Sequence, residues 1–386
     1  MPVARHWLAV EGAAAVEPLG DGRSEGRLSR VADQAPADDH GGSVDTAAAA
    51  GTVDVLVTPA PRRQRGWVPL VSYVVTVFVL ITFNFALPRL MPGDPIDALM
   101  TFGSPNYVQN DETRAALERY YDLDESLPEQ YVHYLQGLVT GDLGVSIVSH
   151  VPVTEELGDR VGWSFLLIAS ATLVSVVISL PLGVHSGWKR GKALDRGLLG
   201  FFLTVQNLPI FILGALAFVV FAAKLRLFPL GGATTPFSPY TGFAEVLDIA
   251  RHLVLPTMLL AFDFLTYQYL VMRSSMVSEL GADYLLGGRA KGLRERRLKY
   301  RFAGRNALLP VVTVIGLQAS VAVGAGLIIV ERIFAYPGVG GYMFESLGTR
   351  DYPAIQGAFL VLTVSVVTTN LLVDLAYRRL DPRTAT

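Results

Sequence analysis

SELGADYLLGGRAKGLRERRLKYRFAGRNALLP, residues 278–310, lies between two long apolar stretches and contains eight Lys and Arg residues against three Asp and Glu residues. Lysine and arginine close to membrane spans are retained on the cytoplasmic side of the bilayer. The stretch therefore predicts a cytoplasmic loop, residues 275–309, that is long enough to present a docking surface. The alternative is a solvated basic loop of some other protein that crosses the bilayer several times.

The composition of the 386-residue chain predicts an all-α integral membrane protein. Hydrophobic residues make up 51% of the chain and charged residues 17%. The mean hydropathy of +0.40 is too apolar for an ordinary soluble domain. The chain contains no cysteine, which excludes disulfides, thiolate metal sites and thiol nucleophiles.

Six apolar stretches are each long enough to cross about 30 Å of hydrocarbon as a helix. They are Val68–Leu87, Ser164–Val184, Leu198–Ala222, Leu253–Met272, Val311–Val330 and Ala354–Ala376. The sequence thus predicts a polytopic membrane protein with about six transmembrane helices.

The charges between these stretches predict one orientation, with both termini in the cytoplasm. Three arginines at positions 62–65 precede the first stretch, and three at positions 378–383 follow the last. Residues 92–161 are polar and acidic, so they are predicted to form an external loop. Two short amphipathic helices, Glu112–Tyr121 and Pro128–Val139, are expected within it.

The N-terminal segment differs in composition from the rest of the chain. Residues 1–66 lack apolar periodicity and are rich in Ala, Gly, Asp and Ser. This composition is typical of a disordered segment, so a cytoplasmic tail is predicted there. Residues 67–383 are predicted to form the transmembrane domain.

Several motifs follow one another in a specific order. They are Pro92-Gly93-Asp94-Pro95, Gly141-Asp142-Leu143-Gly144, Ala290-Lys291-Gly292-Leu293, Tyr336-Pro337-Gly338-Val339-Gly340 and Arg350-Asp351-Tyr352-Pro353. In this order the chain resembles the "B"-type permeases of ATP-binding-cassette (ABC) importers, in the dipeptide/oligopeptide/nickel family. The resemblance covers about residues 68–383 and implies the type I ABC importer permease fold, in the plasma or inner membrane.

The resemblance implies that the basic loop contains the "EAA" coupling segment, which docks on a separate ATPase. The residues implied to make this contact are Asp283, Tyr284, Arg289, Ala290, Lys291, Gly292 and Leu293. Glycine takes positive φ without strain, so Gly292 is expected at a sharp turn. Gly287 and Gly288 stand where the family carries Thr and Ala, and each glycine costs a helix roughly 1 kcal/mol relative to alanine. A short or frayed coupling helix is therefore expected.

The resemblance also implies the partners. They are a homologous second permease subunit, two cytoplasmic ABC ATPases and an external solute-binding protein, together with membrane lipid and no nucleic acid. The chain has no Gly-x-x-x-x-Gly-Lys-Ser/Thr motif, so ATP and Mg are expected on the ATPases. No cofactor, metal or catalytic residue is expected in this chain. The implied substrates are di- and oligopeptides, with nickel, glutathione or sugars as alternatives.

Three polar residues are candidates for the transport pathway. Asp263 lies inside the fourth apolar stretch, where an ionisable group costs several kcal/mol unless it is paired or wet. Gln206 and Asn207 lie inside the third. The alternative for Asp263 is a structural hydrogen bond to a neighbouring helix. Outside the fifth stretch, the residues Pro337, Gly338 and Gly340 are predicted to form a tight external turn.

Two functions of other classes compete with an ABC permease. An ion-coupled secondary transporter needs no ATPase, but it should carry several ionisable groups within its spans, and it leaves the coupling segment without a role. An intramembrane enzyme needs two catalytic groups at similar depth. Asp263 and Asp374 are the only carboxylate pair available for this, and Asp374 is predicted closer to the inner face.

Overall fold

The computed structural model of the chain describes residues 68–91, 96, 111–121, 123–322 and 325–380. Within these ranges the regular structure is helical and no β-strand occurs, as the composition predicts. The predicted tail, residues 1–66, lies outside the described residues, as do the arginines at positions 62–65.

Twelve α-helices carry the fold within the described ranges. They are α1 (Val68–Leu90), α2 (Asp111–Tyr120), α3 (Leu127–Thr140), α4 (Val153–Trp188), α5 (Ala193–Val205), α6 (Ile210–Ala217), α7 (Phe243–Glu279), α8 (Asp283–Ala290), α9 (Gly304–Ala322), α10 (Ala325–Ile333), α11 (Val339–Thr349) and α12 (Tyr352–Leu380). A π-helix, Phe218–Lys224, continues α6. A helical turn, Glu295–Arg297, and a second π-helix, Leu298–Ala303, precede α9.

The helices confirm the prediction of about six membrane spans. Within the described residues, five helical segments are long and apolar enough to cross a bilayer, and one bent pair raises the number to six. The bent pair differs from the straight span predicted at Leu198–Ala222, because α5 and α6 meet at an angle of 98°. Pro209 precedes α6 directly. Proline lacks a backbone N–H and disfavours helical backbone in the residue before it, so the helix cannot continue through this position.

The fifth predicted span, Val311–Val330, overlaps the spanning helical segment Glu295–Val321, which begins inside the predicted coupling loop. Residues 311–322 of the predicted span belong to α9, and residues 325–330 belong to α10. Residues 323 and 324 lie outside the described residues.

Helices α4 and α7 form the central pair of the bundle. Glycines allow the two backbones to approach closely: a Cβ atom at Gly183 would lie 2.6 Å from Cβ of Met272, and one at Gly187 would lie 2.6 Å from Cβ of Met276. Small residues at helix interfaces permit this approach in membranes. Helix α10 packs on this pair through Leu327, which is fully buried.

The predicted external segment contains the two expected short helices, as α2 and α3. Helix α3 begins with a capping interaction, in which the backbone N–H of Ser126 donates to Glu129 Oε2 at 3.1 Å. The segment is tied to the first span, since Arg89 on α1 donates to Gln130 Oε1 on α3 from Nε at 2.9 Å and from Nη2 at 2.7 Å. Helix α3 is therefore anchored to the bundle.

Candidate functional site

Helix α8 coincides with the predicted coupling segment and rests on the end of the bundle through two residues. Leu285 is fully buried, and a Cβ atom at Gly288 would lie 2.5 Å from Cδ2 of Leu298. The helix runs through both Gly287 and Gly288, so the expected fraying is not seen. The lost helix propensity at Gly288 is offset by close packing that a larger residue would prevent.

The turn after α8 depends on Gly292, as predicted. Gly292 has φ of +71°, in the left-handed region that favours glycine. Its N–H donates to the carbonyl of Arg289 at 2.9 Å, and the N–H of Leu293 donates to the carbonyl of Gly288 at 3.1 Å. These two bonds form a Schellman motif, which satisfies carbonyls at the helix end. The turn reverses the chain back toward the bundle.

The opposite face of α8 is open to solvent. Six of the seven predicted coupling residues are exposed, and Leu293 is half-buried. Leu286 lies on the same face and is 63% exposed. The Tyr284 hydroxyl donates to Glu279, and burial, followed by this bond, raises the pKa of Tyr284 to about 12. Arg289 pairs with Glu295 at 3.0 Å. This exposed face, from Asp283 to Gly292, is hereafter the coupling face.

A buried apolar cluster connects the coupling face to the spans. Leu285 of α8 and Leu298 of the second π-helix pack with residues of α4, α7 and α9. The other buried members are Val184, Met272, Met276, Ala303, Ala307 and Val311. Protein interiors are close-packed and transmit displacement. A force applied to α8 therefore acts on three long helices at once.

A buried ion pair joins α5 to α7 near this cluster. Arg273 donates to Asp195 Oδ1 from Nε at 2.6 Å and to Oδ2 from Nη2 at 2.8 Å. Asp195 is 1% exposed and also accepts from Ser186 Oγ and from the N–H of Gly191. Sequence reasoning missed this pair because the residues are 78 positions apart. The one sequence signal for this pair was Asp195 itself, an aspartate close to Lys189, Arg190 and Lys192.

A cavity of about 310 Å³ lies at the bend between α5 and α6. Its polar lining residues are Gln206, Asp263, Thr266, Tyr267 and Gln318. The structure thus brings Asp263 and Gln206 together, as their shared prediction requires. Asn207 does not line the cavity; its Nδ2 donates to the carbonyl of Leu203 at 2.6 Å and so caps the end of α5. Sequence reasoning missed the last three lining residues, which carry no charge.

The predicted external turn closes around a buried carboxylate. Glu331 is fully buried and accepts from Ser164 Oγ at 2.6 Å and from the N–H of Gly341 at 2.8 Å. A Cβ atom at Gly338 would lie 1.9 Å from Glu331 Oε1, so glycine is needed there. Burial raises the pKa of Glu331 to about 7 and outweighs these hydrogen bonds, which lower it. The carboxylate holds the first turn of α11 in place.

The Arg350-Asp351-Tyr352-Pro353 motif contacts the segment that follows the Gly141-Asp142-Leu143-Gly144 motif. Asp351 Oδ2 accepts from Ser146 Oγ at 2.5 Å and from the N–H of Val148 at 3.1 Å, and its Oδ1 accepts from the N–H of Ala354 at 3.1 Å. Ser146 and Asp351 are 205 positions apart. The contact joins the segment after α3 to the start of α12.

Comparison with known proteins places these features in a family context. The family described as binding-protein-dependent transport system inner membrane component matches residues 179–386, more than half of the chain. The dipeptide transport system permease protein DppB of Escherichia coli K12 is 35% identical over 328 residues, covering 80% of this chain and 95% of that protein. The DppB protein of Bacillus subtilis 168 is 36% identical over 323 residues, covering 83% and 96%.

A third relative carries a slightly different name. The di/tripeptide transport system permease protein DppB of Pseudomonas aeruginosa UCBPP-PA14 is 33% identical over 322 residues, covering 80% of this chain and 94% of that protein. All three matches span nearly the whole of the relative.

Proposed function

The chain belongs to the family of binding-protein-dependent transport system inner membrane components, and on this premise we propose that it forms half of a translocation pathway for di- and oligopeptides. The observation that carries the proposal is the coupling face, presented by a helix that rests on the buried ends of three long helices. The names of the relatives favour peptides over nickel, glutathione or sugars.

The proposed assembly contains three further kinds of subunit. A homologous second permease completes the pathway, two cytoplasmic ABC ATPases bind ATP and Mg, and an external solute-binding protein delivers the substrate. The absence of a phosphate-loop motif from the sequence supports the placement of ATP hydrolysis on the ATPases. This chain is then a transport subunit without catalytic residues of its own.

The proposed coupling begins at the exposed face of α8. Tyr284, Leu286 and Arg289 offer an aromatic ring, an aliphatic side chain and a cation to a groove on the ATPase. When the ATPases close on ATP, α8 moves, and buried Leu285 carries the movement into the cluster around Leu298. A helix end that moved alone would leave a void in this close-packed cluster, which is costly. The long helices therefore follow.

The proposed pathway opens and closes at the bent pair. The ion pair between Asp195 and Arg273 fixes the start of α5 to α7, so a displacement of α7 carries α5 with it. The cavity beside Asp263 lies at the far end of α5. Rocking of these helices alternately exposes the cavity to the two sides of the membrane. The segment that contains α2 and α3 receives the loaded binding protein.

The test is uptake of a labelled dipeptide by liposomes that contain the chain with its partner subunits. We expect uptake only when ATP is present inside the liposomes and when both ATPases and the loaded binding protein are present. Gly292→Ala introduces a side chain at positive φ, which costs roughly 1–2 kcal/mol, and should lower the ATP-driven rate. Gly281→Ala is the matched control, because Gly281 lies outside the coupling face and a Cβ atom there meets nothing within 4 Å.

A different result would favour the rival transporter. Uptake by the chain alone, driven by an ion gradient and unaffected by Gly292→Ala, contradicts the proposal. So does ATP-driven uptake of nickel or a sugar in place of peptides, which would keep the ABC mechanism and change the substrate.

A further inference from the structure

Asp263 is a carboxylate in an unusual position for a membrane protein. It lies on α7, in the span Phe243–Glu279, and its side chain is exposed while the adjacent Phe264 and Leu265 are buried. No hydrogen bond or ion pair joins it to another residue in the described parts of the chain. An unpaired carboxylate within a span costs several kcal/mol. A cation from outside the chain would remove this cost.

The cavity around Asp263 offers further oxygen atoms and no cation. No Lys, Arg or His lines it among the described residues. The Thr266 hydroxyl donates to the carbonyl of Phe262 at 2.9 Å, which leaves its oxygen free to accept. Gln206 and Tyr267 line the same space. The remaining walls are apolar, so water is partly excluded. The attraction between two opposite charges is therefore stronger in the cavity than in bulk water.

This combination fits a primary ammonium group. Such a group carries three N–H donors and no acceptor, which matches one carboxylate flanked by neutral oxygens. A divalent metal ion needs several strong ligands at once. No group of three or more His, Cys, Asp or Glu residues suited to a metal occurs in the described residues. The cavity therefore favours an organic cation over a metal ion.

We infer that Asp263 binds the α-ammonium group of the peptide during transit, with Gln206 and Thr266 as neutral acceptors. The inference rests on the proposed function and adds a selectivity of this chain to that of the binding protein. The ammonium group of a peptide with a free amino terminus loses its hydration on entering the cavity and gains the interaction with the Asp263 carboxylate in exchange. A peptide in which a hydroxyl replaces the ammonium loses this compensation.

The test compares alanyl-alanine with lactyl-alanine, in which a hydroxyl replaces the ammonium group. The complete transporter in liposomes is supplied with each cargo at concentrations that saturate the binding protein, as measured separately by titration. With the wild type we expect a maximal uptake rate about tenfold higher for the ammonium cargo, equal to about 1.4 kcal/mol. Asp263→Asn should bring the ratio of the two rates close to one. Asp263→Glu should retain most of the preference.

One control and three outcomes separate the alternatives. Glu245→Gln removes an exposed carboxylate at the start of α7, 18 positions before Asp263, and should leave the ratio unchanged. An unchanged ratio in Asp263→Asn overturns the inference. If the second permease no longer copurifies with the Asp263→Asn variant, the inference is also overturned, because Asp263 is then a contact between the subunits. If the wild type takes up neither cargo, the proposed peptide function itself fails.

Discussion

The two adjacent glycines of α8 should respond in opposite ways to alanine. Each substitution removes a glycine from a helix interior, which favours the helix by roughly 1 kcal/mol. At Gly287 nothing lies within 4 Å of the new Cβ atom, so Gly287→Ala should keep the whole gain. At Gly288 the new atom would lie 2.5 Å from Cδ2 of fully buried Leu298, and such overpacking costs roughly 1–3 kcal/mol. The two variants should therefore differ by about 1–3 kcal/mol in the stability of α8.

Hydrogen exchange of the α8 amides, followed by mass spectrometry on the purified protein, measures this difference locally. Exchange rates report the free energy of local opening, and 1.4 kcal/mol corresponds to a factor of ten. We expect slower exchange over Asp283–Ala290 in Gly287→Ala than in the wild type. Exchange in Gly288→Ala should be faster than in Gly287→Ala by about five- to 150-fold. Equal protection in both variants would refute the reasoning, because α8 would not be resting on Leu298.

Three further predictions concern the bundle and are measured by thermal unfolding in detergent. Gly183→Ala puts a Cβ atom 2.6 Å from a buried methionine, and this overpacking should cost roughly 1–3 kcal/mol. Gly162→Ala, with nothing within 4 Å, should keep the gain in helix propensity of roughly 1 kcal/mol; equal effects would contradict the close α4–α7 contact. Asp195→Asn leaves Arg273 without its carboxylate and should cost about 3 kcal/mol; an unchanged unfolding temperature would contradict this. Glu331 should make the free energy of unfolding fall as the pH rises from about 4.5 to about 7, since its pKa is raised in the folded state. Glu331→Gln should lack this pH dependence. If the same fall in stability persists in the variant, Glu331 is not its source.

Much of the bundle could be predicted because membrane spans leave a strong local signal. About twenty apolar residues suffice to predict a span, and amphipathic periodicity predicted the two short helices to within one or two residues of α2 and α3. The conformation of Gly292 was predictable for the same reason, since a positive φ is a local property of glycine.

The features that sequence reasoning missed are tertiary. The 98° bend at Pro209 lies inside a stretch that is apolar enough overall to form one span, so hydropathy predicts one straight helix, although the proline was a visible signal. The packing role of Gly288 depends on Leu298, and glycine propensity alone predicts the opposite, a frayed helix. The pairing of Asp195 with Arg273 joins distant positions that no local pattern connects.

The central claim is that separate ATPases dock on the coupling face of α8. The chain contains no cysteine, so Leu286→Cys, at a position 63% exposed on that face, gives a single attachment point for a short thiol-reactive crosslinker in the assembled transporter. The account predicts a crosslink to an ATPase subunit from Leu286→Cys and none from Val139→Cys, which is 90% exposed on the predicted external helix α3. A transport-active complex in which Leu286→Cys forms no crosslink, or in which Val139→Cys does, would contradict it.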